Sequence, residues 1–179
     1  MKKFFSTLFI LVLFLSASAF AQYKVGKNTA GILGGFGGGG LSGTGSIPIS
    51  LEYNFLNFEE KIHGGIFASY SSSSEEYNFG FWNGEWTYTY IIVAAQANYH
   101  FSPGESFDPF VGVALGYNIG SASWEWKSNG TGASPAAATA GGFFYSGQAG
   151  FNYWFSEGLA VQVRAGYYPY IAAGLTFGL

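Results

Sequence analysis

The sequence predicts an all-β protein, an eight-stranded antiparallel up-and-down transmembrane β-barrel. Three observations predict it: a period-two alternation of apolar with small or polar residues, almost no charge within that alternation, and turns that divide it into eight segments. From Val93 to Phe101 every odd residue is Val, Ala, Ala, Tyr or Phe, while Ala94, Gln96, Asn98 and His100 stand between them. The pattern returns from Val111 to Ile119, with Gly112, Ala114, Gly116 and Asn118 interleaved. Such a period places one residue set on each face of a strand. Here one face is apolar and the other small and uncharged-polar, so neither suits bulk water. Lipid outside and a packed, partly polar interior satisfy both faces, and a closed barrel is the β-architecture that crosses lipid without bare backbone groups.

Residues 1–21 read as a cleaved signal peptide. Lys2 and Lys3 precede an apolar run over 4–15, and Ala19-Phe20-Ala21 fits an A-x-A cleavage site. The run falls short of the roughly 20 apolar residues of a spanning helix, and no later stretch reaches that length. Residues 22–179 then form the barrel domain, 158 residues (179 minus 21), a one-domain length. The mature chain carries five basic and ten acidic residues, a formal charge of −5, which argues against nucleic acid as a partner. With no cysteine there is neither a disulfide framework nor thiol chemistry.

Eight segments are long enough for tilted spanning strands. The first, 30–38, is Gly-rich. The second, 46–55, turns Ile47, Ile49, Leu51, Tyr53 and Phe55 outward, although Pro48 cannot donate to a ladder. The third covers 61–71, the fourth 86–101 and the fifth 109–121. The sixth, 142–155, presents Phe143, Tyr145, Phe151, Tyr153 and Phe155 outward; the seventh is 159–168 and the eighth 171–179. Connections 56–60, 102–108 and 156–158 are short, whereas 72–85 and 122–141 read as long irregular loops. The Gly-rich 39–45 and the tight Pro169-Tyr170 connection lie on the side of the long loops. Short turns on one side and long loops on the other place both termini in the periplasm of a bacterial outer membrane.

Aromatic residues gather at both ends of the strands: Tyr53, Phe55, Tyr99, Phe101, Tyr153 and Phe155 near the short turns, and Tyr88, Tyr90, Tyr117, Phe143, Tyr145 and Tyr167 opposite. Two such belts are what membrane interfaces favour. Of fifteen charged residues in the mature chain, only Glu52 and Arg164 fall within the expected strands beyond Lys61, which stands at the turn that opens the third, and both are on the small-polar face. A Lys or Arg on the lipid face at mid-membrane costs about 2–4 kcal/mol, which explains the avoidance.

In these features the chain resembles the small eight-stranded outer-membrane barrels of the OmpA-transmembrane, OmpX and OmpW-like group, the porin-like outer-membrane β-barrel domains. The resemblance covers the mature chain as a pattern. Its most specific pieces are Pro109-Phe110-Val111-Gly112-Val113-Ala114-Leu115-Gly116-Tyr117 and the C-terminal strand. Gly174, Phe177 and Leu179 match that family's assembly signal, while Ala172 stands where a polar residue is usual and Leu179 replaces a terminal aromatic. The resemblance implies insertion by the barrel assembly machinery, contact with outer-membrane lipid and lipopolysaccharide, a monomer, and no cofactor.

Eight strands enclose a space filled by side chains, so a wide diffusion pore is not expected. The inward polar set is Glu52, Asn54, Gln96, Asn98, His100, Asn118, Gln148, Asn152, Gln162 and Arg164. Glu52 and Arg164 are placed to meet across the lumen as an ion pair, either a plug or a gate. Trp82, Trp86, Trp124 and Trp126, interleaved with Tyr, Ser, Asn and Gly in the outer loops, are candidates for surface contact. Asn129-Gly130-Thr131 reads as a turn. His63 and His100 are the only histidines and show no metal cluster or assembled nucleophile and base, so no enzyme is expected. His100-Phe101-Ser102 looks like the His-x-Ser of outer-membrane lipid A deacylases, but sits at the wrong end of its strand. The expected role is structural or surface-interactive; the alternative is a narrow channel or OmpW-like conduit for small hydrophobic solutes. A soluble lipocalin-like calyx is also eight-stranded, but the nearly charge-free strands oppose it.

Overall fold

Each period-two segment becomes a strand, and the eight strands are β1 (Thr29–Phe36), β2 (Ile49–Phe58), β3 (Ile62–Phe79), β4 (Trp82–His100), β5 (Phe107–Ser128), β6 (Ala138–Ser156), β7 (Leu159–Gly166) and β8 (Ile171–Gly178). The computed structural model describes residues 27–37, 47–79, 82–128 and 136–179. The segment 1–21, the connection 39–45, the Asn129-Gly130-Thr131 turn and the side chain of Trp82 lie outside the described residues. Every strand runs antiparallel to its sequence neighbours, and β8 closes on β1 from Thr29↔Gly178 to Phe36↔Ile171. Closure joins the two 8-residue strands into the ladder, so no edge remains at that level.

The two faces separate as the alternation requires. Ile49, Leu51, Val93, Val111, Val113, Leu115 and Tyr117 are exposed on the outside, while Ser50, Glu52, Ala94, Gln96 and Asn98 are buried inside. An exterior that is apolar and an interior that is polar is the inverse of a soluble barrel, and it fits lipid as the outer solvent. The rings at the short-turn end pair up on this exterior, Tyr53 with Phe55 at 5.8 Å, Tyr99 with Phe101 at 5.2 Å and Tyr153 with Phe155 at 5.1 Å. Register shifts at Asn54/Leu56 and Trp154/Ser156 fall at that same end, where bulges commonly terminate pairing. Pro48 lies just before β2 and its carbonyl accepts from the Gly35 amide, so its missing donor interrupts nothing.

Three sequence expectations are corrected. The expected loops 72–85 and 122–141 are largely strand: β3 and β4 pair without interruption from Ile62↔Tyr99 to Phe79↔Trp82, and β5 and β6 as far as Ala122↔Ala138. Period two persists there, but its outward row is Ser121, Ser123, Glu125 and Lys127, which suits water rather than lipid. An apolar outward row was therefore the wrong signal for where these strands end. Consequently Glu75, Glu76, Glu85, Asp108, Glu125 and Lys127 join Glu52 and Arg164 as charged residues within strands. Tyr88 and Tyr90 share the inward parity of Gln96, so they leave the lipid-facing belt; Tyr117, Phe143, Tyr145 and Tyr167 remain exposed on it.

The strands are unequal, and the inequality shapes the molecule. β3 to β6 have 18, 19, 22 and 19 residues, whereas β1, β7 and β8 have 8 each. β3 loses its β2 partner above Ile49↔Tyr70, and β6 loses its β7 partner above Gln148↔Gly166. Among the described residues, four strands thus stand beyond the closed cylinder as a curved sheet.

Candidate functional site

The inner face is built in layers. At the short-turn end His100 Nδ1 lies 2.6 Å from Asp108 Oδ2, and the His63 ring lies 4.2 Å from the His100 ring, tilted by 35°. Asp108 was expected in a turn; it is 2% exposed because β5 begins at Phe107 and continues the even-numbered inward row. The signal was present, since 108 shares the parity of Phe110 and Gly112. Among the described residues no group of three or more His, Asp or Glu could hold a metal ion.

The middle layer carries the expected ion pair. Arg164 Nη1 donates to Glu52 Oε2 at 3.0 Å, and both side chains are 2% exposed. Gln96 Nε2 donates to the same Glu52 oxygen at 3.2 Å and to Asn54 Oδ1 at 2.9 Å, and Asn54 Nδ2 donates to Thr29 Oγ1. The Arg164 guanidinium lies 4.8 Å from the centre of the Phe67 ring, whose face attracts a cation. Glu52 and Arg164 come from β2 and β7, and the strands between them carry small inward residues, Gly31, Ala172 and Gly174. A Cβ at Gly31 would fall 2.7 Å from Glu52 Cγ, so glycine there is what lets the carboxylate lie across the lumen. Gln148 Nε2 donates to Asn98 Oδ1 at 2.7 Å, and Thr176 Oγ1 to Gln162 Oε1 at 2.9 Å. Asn152 is buried in the same interior, and Asn118, higher up, is half-buried. All ten of the expected inward polar residues therefore take the inner face.

Above the ion pair the interior turns apolar: Phe67, Ile92, Ala94, Ala114, Phe144 and Tyr168 form one buried cluster. Tyr168 sits in the β7–β8 corner, two residues past the end of β7, and keeps the inward parity of Gln162 and Arg164. It is pinned by Ser71, which accepts from its hydroxyl at 3.2 Å, and by Ser146, whose Oγ accepts from its backbone N–H.

Beyond the cylinder, the inward parity of β4 and β5 carries Trp86, Tyr88, Tyr90, Trp124 and Trp126 onto the concave side of the extension. Trp86 and Trp124 are direct cross-strand partners with rings 5.4 Å apart, edge to face, and Trp126 meets Trp124 edge to face at 5.2 Å. Gly84 is what admits the Trp124 ring, which occupies the place a Cβ would take. The Trp candidates thus stand on strands rather than in loops, and aromatic cross-strand pairs stiffen such a ladder. Trp124 Nε1 is shielded from solvent and has no hydrogen-bond partner among the described residues.

The convex side of the extension is ionic. Lys127 Nζ reaches Glu85 Oε2 at 2.5 Å and Glu76 Oε1 at 3.2 Å, tying β5 to β4 and β3. The Lys127 and Ser74 hydrogen bonds hold the Glu85 carboxyl below its ordinary value of 4.5, and Glu85 in turn holds the Lys127 ammonium above 10.5. The tie is therefore complete above 4.5 and is lost as pH falls through the lowered Glu85 value. At the alkaline end it is complete below 10.5 and is lost as pH rises through the raised Lys127 value. A carbon-detected NMR titration should show the Glu85 midpoint below 4.5, and Lys127→Met should move it upward; an unchanged midpoint in that variant would refute the assignment.

The match to known proteins agrees with this architecture. The family model described as outer membrane protein beta-barrel domain matches residues 7–177. Among curated proteins none matches the chain. Similar solved structures include Ail, the attachment invasion locus protein of Yersinia pestis, at 12% identity and a TM-score of 0.45, covering 84% of this chain and 92% of that one. Neisserial surface protein A is similar at 14% identity and a TM-score of 0.46, covering 86% of this chain and 95% of its own. With eight antiparallel strands closed into a barrel and nearly its whole length matched by that family model, the chain belongs to the outer membrane protein beta-barrel domain family of the bacterial outer membrane.

Proposed function

We propose that the protein is a surface-interaction barrel with a closed lumen, its contact face being the Trp-lined concave side of the extension and its termini periplasmic. The Trp86, Trp124 and Trp126 cluster carries this reading: three large rings are held on a sheet that rises beyond the closed barrel. Rigid aromatic side chains supply contact area at low entropic cost. The lumen supports the same reading, because the apolar cluster around Phe67 and Tyr168 lies above the Glu52–Arg164 pair. No catalytic step belongs to this function, and lipid, lipopolysaccharide and the assembly machinery are its expected surroundings for a monomer.

Planar-bilayer conductance of the refolded mature chain tests the closed lumen, with heat-modifiable gel mobility confirming the fold. The expected result is no steady channel; steady small openings would favour the narrow conduit and make Glu52 and Arg164 the first residues to mutate. Adhesion of cells displaying the protein to immobilised glycan and matrix surfaces tests the contact face. Trp86→Ala with Trp124→Ala should reduce attachment several-fold while leaving the barrel folded, and undiminished attachment would exclude that face.

A further inference from the structure

Where β6 parts from β7, the wall of the cylinder opens sideways. The last paired residues are Gln148 and Gly166, and the Tyr167 amide still donates to the Gly147 carbonyl at 3.1 Å. Immediately above lies a cleft of about 130 Å³ that passes between the two faces of the wall. Its outer lip is Phe143, Tyr145 and Tyr167, all exposed on the lipid-facing side, with the Tyr145 and Tyr167 rings stacked 5.8 Å apart and 2° from parallel. Its inner end is formed by Ile92, Phe144 and Tyr168, which are buried, and by Asn118.

We propose that this cleft is a lateral binding site for a single acyl chain of a membrane amphiphile that bears a hydroxyl or amide donor. Four observations lead there. The cleft opens between Phe143, Tyr145 and Tyr167 of the outer aromatic belt, at the upper limit of the lipid-facing exterior. Its volume is close to the roughly 150 Å³ of apolar cavities that accept benzene-sized guests. Its inner end holds one acceptor, Asn118 Oδ1, that is shielded from solvent and has no hydrogen-bond partner among the described residues. A buried acceptor of that kind favours a ligand that donates to it over one that does not. Finally, the back of the cleft is built in advance. Ser146 and Ser71 hold Tyr168, and the Phe144 ring meets it edge-on at 6.1 Å and 88°, so little has to be ordered on binding. The cleft does not continue downward through the barrel, because the Phe67 cluster and the Glu52–Arg164 pair lie beneath it. It is independent of the Trp-lined face.

Gly142 supplies the test. It pairs with Asn118 across β5 and β6, and a Cβ built there meets nothing within 4 Å among the described residues, so a Phe side chain there has room to reach over the Asn118 end of the cleft without displacing backbone. The refolded protein in phosphatidylcholine nanodiscs would be titrated with decan-1-ol and, separately, with decane, following the Ile92 methyl and Asn118 side-chain amide NMR signals. Saturable shifts are expected, with decan-1-ol bound about 3- to 10-fold more tightly than decane. Gly142→Phe should abolish saturation while gel mobility shows a folded barrel, and Asn118→Leu should erase the preference for the alcohol. Non-saturable shifts, or saturation unchanged in Gly142→Phe, would overturn the site. A preference that survives Asn118→Leu would overturn the role of Asn118.

Discussion

Replacing Glu52 with alanine is expected to destabilise the folded barrel by about 3–5 kcal/mol, the cost of leaving a buried charge without its partner. Arg164 is 2% exposed, and its Nε and Nη2 have no hydrogen-bond partner among the described residues, so Nη1 and the Phe67 ring hold the guanidinium. Removing the carboxylate leaves Arg164 facing Phe67 and the amide of Gln96, a donor that has then lost one of its two acceptors. Arg164→Ala should cost a similar amount, since Glu52 would keep only its bond from Gln96. The double variant Glu52→Leu/Arg164→Met should recover most of the loss, because an apolar pair of similar volume removes both charges together. Urea unfolding from lipid vesicles measures all three. Equal damage in single and double variants would show that shape rather than charge holds this layer.

A comparable loss is expected at the outer wall. Val113 is 56% exposed in the middle of the lipid-facing row, and Val113→Arg should destabilise insertion by about 2–4 kcal/mol. Gln96→Lys, which adds the same charge on the opposite parity, should be far better tolerated, because its ammonium would lie beside the Glu52 carboxylate. The contrast depends only on which face each residue occupies. Folding yields into vesicles that were equal for the two variants would invert the assignment of inside and outside.

Much of this was legible in the chain, and what was not has a physical reason. The inward positions of Glu52 and Arg164 followed from period two, whereas their contact depends on the small inward residues Gly31, Ala172 and Gly174 of the two strands between them, which parity alone does not reveal. Asp108 was missed because a Pro follows it and a turn precedes it, although its parity matched Phe110. The strand extensions were missed because the outward row changes from Val and Leu to Ser, Glu and Lys once water replaces lipid, while the hydrogen-bonded ladder continues. The same change moved Trp124 from an expected loop to a paired ladder position opposite Trp86. The lateral cleft had no signature in sequence, since it arises where β7 stops short of β6.

The short strands also measure the membrane. Inside hydrocarbon every backbone group needs a partner, so the cylinder must stay closed for as long as lipid surrounds it. Closure ends at Gln148 and Gly166, close beside the rings of Tyr145 and Tyr167. Eight residues at about 3.3 Å each, tilted by about 40°, span only about 20 Å. On the β7, β8 and β1 side the protein therefore matches an unusually thin hydrocarbon layer, and the bilayer there must dip toward it while rising against the taller wall opposite.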